Sequence, residues 1–561
     1  MAAWQNYCSS VAWQSGWAMY FQRGCRLSHT LLSSRYEKRS IMKMEYSKLP
    51  ETASTRRQFI HGAAALGIGI GLGGRASAAA PRRGGTLKLG MGGGSTTDSL
   101  DPALLTDWVS LNQAYMLMNG LVEINEKMEA VPELLESWEA APGAAEWLLK
   151  VRSGVTFHNG KTLDADDVVY SLNLHRGPET RSAVKSNLAD VTDVRKSGAM
   201  QVTITLKSGN ADLPYLLSDY HLLVVPNGFQ DWAKPIGTGP FVFGEYTPGV
   251  RSLFKRNPNY WRPNAAWVDA VELIVINDVA ARTNALISGQ VHAINRIDFK
   301  TVDLLKRSPA LSIVRSAGGQ HFTFLMNCTT APFTDSNVRL AIKYGIDRQK
   351  QLSTILRGYG SLGNDHPIPR TDRFFAADLP QRAYDPDKSK FYLKKAGLNT
   401  LDVELSSSDS AFAGALDSAA LLREQAAAGG IQLSIQRQSA DSYWDKVWMK
   451  APFCMGYWGG RPTADQMFST AYKSDAKWND AYWRNPQFDT LLLQARAMLD
   501  DNKRRELYGE MQRMVSDEGG TMIPLFADYI DATSNRLKGA IPHPLFNFIG
   551  GRLAERVWLE G

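Results

Sequence analysis

From Gly84 onward, strand-type and helix-type signals alternate without a long linker, an internal repeat or a low-complexity tract, and this alternation restricts the chain to a mixed α/β architecture. Strand patterns occupy Thr86–Gly90, the alternating Gln201-Val202-Thr203-Ile204-Thr205-Leu206, and Val271–Ile276. The helix signals carry their own start marks. Asp164 is placed to cap a helix over Ala165–Asn173, with Asp167 three residues on to complete a capping box. Asp278 opens a helix that Gly289 closes, and Asn485-Pro486 pairs a cap with a first-turn proline. After it, Phe488, Leu491, Leu492, Ala495 and Leu499 recur at helical spacing, and Leu507, Met511, Met514 and Val515 mark a further helix. These periodic residues are read as core.

The 561 residues are enough for more than one domain. The net charge of +7 is not a nucleic-acid footprint. Residues 1–80 hold 10 Lys and Arg against 3 Asp and Glu, so the whole excess sits there and the remainder is neutral. That leading segment carries Ser54-Thr55-Arg56-Arg57-Gln58-Phe59-Ile60, a mild apolar stretch from Ala63 to Leu72, and small residues at Ala76–Ala80. The layout resembles a twin-arginine export signal cleaved near Ala78 or Ala80. An apolar run of about ten residues is short for a spanning helix, which needs roughly 20. The expectation is a periplasmic protein without a lipid anchor, since no cysteine stands at the cleavage site. Residues 1–41 are unusual ahead of such a signal, and Met42 or Met44 is the expected start. Beyond the signal, Cys328 and Cys454 either pair or stay as two thiols.

Motifs for catalysis are missing from the pattern. Gly69–Gly74 fits a dinucleotide fingerprint formally but lies inside the export signal with no strand before it. There is no P-loop, no His-Glu-x-x-His and no Gly-x-Ser-x-Gly, and the nine histidines are scattered. No enzyme activity, cofactor or metal site is expected.

A family resemblance emerges from eight stretches in order: GGTLKLG; NGLVEIN with VPELLESWE; WLLKVRSGVTFHNGKTLDADDVVYSLN; PIGTGPFVF with FKRNPNYW; VDAVELIVINDVAARTNALISGQVHAI; FLMNCTTAPFTDSNVRLAIKYGIDRQ; YDPDKSKFYLKKAGL; and IPLF. Together they resemble the extracellular solute-binding proteins of the oligopeptide, dipeptide and nickel importers. The resemblance implies a two-lobed α/β clam-shell of the class II type with an enlarged first lobe. Residues 84–322 would form the first lobe, 323–519 the second, and 520–561 a tail returning to the first. The chain would cross near Gly318–Phe324 and again near Gly519–Pro524. It further implies a monomer that captures a small organic solute, peptide-like or amino-acid-derived, and passes it to the permease subunits of an ABC importer. A nickel or metal-chelate receptor and a receptor for a sugar-derived solute are the alternatives. His158 is expected to be structural.

In peptide-binding members of that family an aspartate in a Trp-x-x-Asp-like context holds the ligand amine. The corresponding segment runs Tyr457-Trp458-Gly459-Gly460-Arg461-Pro462-Thr463-Ala464-Asp465. Asp465 is the matching acid. Arg461 adds a guanidinium suited to a carboxylate or phosphate, and the two either share a zwitterion or pair with each other. Asn364, Asp365 and His366 form a polar loop that contacts ligand or makes a local turn. Trp458, Tyr457 and Trp478 are candidates for an aromatic wall.

Overall fold

The computed structural model describes residues 80–439 and 442–560. The export-signal and start-site expectations lie outside the described residues, apart from Ala80. The alternation of signals is realised in three main sheets. The largest has seven strands in the order Leu311–Ser316, Tyr529–Ser534, Ala293–Ile294, Thr86–Met91, Ala270–Val275, Arg251–Arg256 and Phe241–Thr247. Thr86–Met91 runs parallel to both Ala270–Val275 and Ala293–Ile294. A six-stranded sheet has the order Gly360–Leu362, Thr521–Ala527, His321–Met326, Phe453–Trp458, Leu401–Ser407 and Ile431–Arg437, the last three mutually parallel. A four-stranded antiparallel sheet joins Leu135–Ala140, Glu146–Val151, Gln201–Leu206 and Val191–Gly198.

Each sheet has its own apolar core. Leu87, Leu89, Phe254 and Leu273 fill the first, Phe324, Leu325, Ile342 and Leu405 the second, and Leu149, Val168, Val202 and Ile204 the third. The capping box at Asp164 forms as the sequence requires, with Asp167 returning to the Asp164 N–H. Helices also occupy Val279–Ile287, Pro486–Ala497 and Asp501–Glu518. Leu499 falls between the last two and is exposed, so it is not core. His158 bridges a turn: its ring nitrogens meet the Gly239 carbonyl at 3.1 Å and the Gly237 N–H at 3.4 Å. Cys328 and Cys454 are both free thiols.

The chain passes between the two large sheets twice. The first passage is residues 317–320, and Phe322 and Phe324 beyond it already belong to a strand of the six-stranded sheet. The second is not at Gly519–Pro524. Gly519 and Gly520 end the Asp501–Glu518 helix, Gly519 N–H bonding back to the Val515 carbonyl, and Thr521–Ala527 then pairs inside the six-stranded sheet. The passage is Asp528, which is paired with Arg315. A glycine pair that terminates a helix reads in sequence like a hinge. The tail of the seven-stranded sheet therefore starts at Tyr529 rather than at 520.

Candidate binding site

In open α/β sheets, ligand sites gather outside the carboxyl ends of parallel strands. Here those ends lie on the edges from which the two connections leave. In the seven-stranded sheet they lead into the loop after Met91, Asn277 and Arg296; in the six-stranded sheet they lead into Ser408, Gln438 and Gly459. The edges meet around the passages. A Cβ on Gly319 would fall 2.7 Å from the Gly460 Cα, and the Gly460 backbone hydrogen-bonds the Tyr529 hydroxyl.

Arg461 stands on this seam. Its guanidinium lies 5.9 Å from the centre of the Trp458 ring, and among the described residues no carboxylate comes within salt-bridge distance of it. Its charge nevertheless reaches across to the seven-stranded side. Burial pushes the Asp219 carboxyl up, but the hydrogen bond from His221 and the charges of His221 and Arg461 outweigh it and hold it below its ordinary range. Tyr220 is pushed up to about 12 by burial and by Asp219, with Arg461 opposing.

Trp458 is fixed from beneath. Its Nε1 donates to Asp480 Oδ2 at 2.9 Å, and Trp448 Nε1 donates to the same oxygen at 3.3 Å. Burial pushes the Asp480 carboxyl up to about 7, against the two indole donors. Five rings run in sequence, each centre about 6 Å or slightly more from the next: Tyr457, Trp444, Trp448, Trp458 and Trp478. Trp478 is half exposed at one end and Tyr457 is 43% exposed at the other, so ligand can reach the ends of the chain. Sequence reasoning found three of these rings and missed Trp444, Trp448 and Asp480. The four-residue spacing of Trp444 and Trp448 around a short helix was the available signal.

The remaining expected contacts go elsewhere. Thr463 caps the Ala464–Ala471 helix, so Asp465 lies in its first turn, buried, accepting Arg496 Nε at 3.0 and 3.2 Å. It pairs neither with Arg461 nor with anything in the seam. Asn364 and Asp365 are interior struts. Asn364 Nδ2 donates to the Pro380 carbonyl at 3.0 Å and its Oδ1 accepts the Arg382 N–H at 2.8 Å. Asp365 adopts a left-handed φ of 61° and accepts Arg348 at 2.6 Å, Arg382 at 3.0 Å and the Ile523 N–H at 3.1 Å. His366 is buried beside Phe375, neither ring nitrogen has a hydrogen-bond partner among the described residues, and burial lowers it to about 4. Asp465→Asn is accordingly expected to cost about 1.5–3 kcal/mol of stability by weakening the bond to Arg496. Calorimetric ligand affinity should stay within a factor of two, and a larger loss would return Asp465 to the site.

The seven-stranded side contributes groups with no sequence signature. Trp108 packs on Phe546 with ring centres 4.4 Å apart, and Tyr220 lies edge-on to Phe546 at 6.1 Å. Asp98 is pushed up to about 6 by burial, with the negative charge of Asp107 adding to it. Phe548 and Ile549 are consecutive left-handed residues at φ 55° and 56°, conformations unfavourable for such side chains. The Asp531 carboxylate holds them there, accepting Asn547 Nδ2 and the Phe548 N–H at 2.7 Å each. Among the described residues, no three His, Cys, Asp or Glu side chains converge as a metal-binding group.

The chain is similar to proteins of one kind. It is 26% identical over 483 residues to the glutathione-binding protein GsiB of Pectobacterium atrosepticum, covering 82% of this chain and 93% of that one. It is 23% identical over 490 residues to the dipeptide-binding protein of Escherichia coli K12, covering 80% and 91%. Among solved structures, the periplasmic binding protein AgaA of A. tumefaciens R10, in complex with agropinic acid, superposes with a TM-score of 0.71 at 23% identity over 85% of this chain and 99% of that one. HbpA2 of Haemophilus parasuis gives a TM-score of 0.75 at 19% identity over 85% and 100%. These structures show the two-lobed α/β fold. The model of the bacterial extracellular solute-binding proteins, family 5, matches residues 129–480. With the seam between its sheets and that match over more than half its length, the chain belongs to family 5 of the bacterial extracellular solute-binding proteins.

Proposed function

We propose that the protein captures a small peptide or amino-acid-derived solute between its lobes and delivers it to the permease of an ABC importer, acting as a monomer in the periplasm. The lobes are residues 84–320 with 529–561, and residues 321–528. One observation carries the ligand chemistry: a half-buried guanidinium, mounted on Trp458 at the carboxyl edge of the parallel strands of the six-stranded sheet, with no carboxylate within salt-bridge distance among the described residues. Arg461 then takes an anionic group of the solute, and the row of rings from Tyr457 to Trp478 takes its apolar body. The names of the glutathione- and dipeptide-binding relatives agree with a solute of this class. The five-ring row also suits a planar chelate or a sugar face, which is the second reading.

The Arg56-Arg57 pair and the small residues before Pro81 support export and cleavage. Native mass spectrometry of protein released gently from the periplasm tests both parts. The polypeptide mass is expected to correspond to a start at Ala79 or Pro81, with a bound solute that carries a carboxylate or phosphate. A co-purifying solute lacking any anionic group would sink the ligand reading, and an intact leader on periplasmic protein would sink the cleavage.

A further inference from the structure

The two lobes are joined covalently at residues 317–320 and at Asp528, but they also meet far from those passages in sequence. Asp212 follows the four-stranded sheet and precedes the short helix Leu213–Leu216. Its carboxylate makes no capping bond to that helix. It is committed instead to the other lobe, accepting Arg373 Nη2 at 2.8 Å and Arg504 Nη2 at 2.5 Å. Asp212 and Arg504 are each about 2% exposed. Arg373 also lies over the Tyr215 ring of the first lobe at 4.8 Å, and Arg504 lies over Phe374 of its own lobe at 4.8 Å.

Neighbouring contacts align the same surfaces. The Ala211 N–H donates to the Arg496 carbonyl at 2.7 Å, and Arg496 approaches Asp190 at 3.6 Å. A Cβ at Gly209 would sit 3.1 Å from Ala497, so the loop and the end of the Pro486–Ala497 helix are in close register. A cavity of about 240 Å³ lies beside them, lined by Trp138, Trp147 and Tyr215 from one side and Arg373 and Arg504 from the other.

We infer that Asp212 is a latch between the lobes, with its carboxylate clamped by Arg373 and Arg504 only while the lobes are closed. The geometry is reversible by design of the charges. When the lobes part, Asp212 and Arg373 regain water and Arg504 keeps Asp501 of its own lobe 3.7 Å away, so opening leaves no unpaired buried ion behind. When they close, one carboxylate must meet two guanidiniums, which permits a single register. Buried ion pairs contribute more to such registration than to net stability. Without Asp212, closure would bring two like charges together with only the exposed Asp501, 3.4 Å from Arg373 and 3.7 Å from Arg504, to offset them, and the closed state would lose the ion pair that joins the lobes.

The test compares the exported parent protein with Asp212→Asn, by small-angle scattering and by hydrogen exchange. The variant should show a larger radius of gyration than the parent. Amide exchange at 209–213 and 496–501 should quicken at least tenfold, the scale set by one uncompensated buried charge. Exchange in Thr86–Met91 and Phe453–Trp458 should stay as protected as in the parent. An unchanged radius with unchanged exchange would overturn the latch, and so would exchange that rises evenly through all strands, which marks general destabilisation. If Asp212→Asn does not fold, Arg373→Gln decides. Its guanidinium is about one-third exposed, so the fold survives its loss. The same local exchange should then rise at least threefold, and no rise would overturn the proposal.

Discussion

Arg461→Gln is expected to weaken binding of the co-purifying solute by roughly 30-fold to several-thousand-fold, with little change in melting temperature. The range corresponds to about 2–5 kcal/mol for leaving a ligand anion enclosed without its partner. Stability should hardly move, because among the described residues no carboxylate lies within salt-bridge distance of Arg461, whose guanidinium sits over the Trp458 ring. Arg461→Lys should fall between the two, since an ammonium keeps the charge but loses the forked geometry. Isothermal titration of the three proteins decides the matter. Affinity of the glutamine variant within a factor of two of the parent would remove Arg461 from the site.

Asp365→Asn should have the opposite profile, a stability loss of about 3–5 kcal/mol with binding unchanged in the molecules that remain folded. Asp365 is the anion at the centre of a buried cationic group. Arg348 and Arg382 bond it directly, and Lys343 stands near enough to be felt. Lys343 is itself fully buried, its Nζ donating to the carbonyls of Val515, Ser516 and Gly519, and burial lowers it to about 7. Neutralising Asp365 leaves Arg348 and Lys343 without their anion in a dry interior, while Arg382 keeps only Asp517, 3.0 Å away at the surface. Urea unfolding measures the loss, and a change under 1 kcal/mol would mean that the cluster is far less tightly coupled than its distances indicate.

Architecture was more legible in the sequence than the site. The Asp164 box and the Asn485-Pro486 start are local events, in which a few neighbouring residues determine the outcome. The family motifs around Phe157-His158 and Gly237–Pro240 likewise encode turns and packing. Ligand contacts depend on which way a loop emerges from a sheet, and this is where the reading diverged. Asp465 had the expected chemistry, but the helix cap at Thr463 turned it towards Arg496. Asp365 and His366 read as part of a polar loop at the ligand or in a local turn and are interior, because Asp365 takes Arg348, Arg382 and Ile523 from elsewhere in the chain and His366 packs beside Phe375. Arg461 was visible as a guanidinium suited to an anion, but not its distance from Asp465. Asp480 was invisible, since it is brought beneath Trp458 by tertiary contact alone.

Residues 529–560 have a bearing on how the molecule is made. Tyr529–Ser534 sits between Leu311–Ser316 and Ala293–Ile294 in the seven-stranded sheet, and Leu553 and Val557 share a core with Leu87 and Leu89. Arg552 reaches back to Glu133 with two bonds of 2.7 Å, and Arg556 is paired with Glu123. The earlier residues of the first lobe thus wait for residues 529–560, which are made after the whole second lobe. Residues 321–528 carry their own core and can fold first, whereas the first lobe closes only once residues 529–560 have emerged. A nascent or prematurely terminated chain would present the unfilled edge of Ala293–Ile294 and an open apolar core to any holdase or protease in the cell that made it.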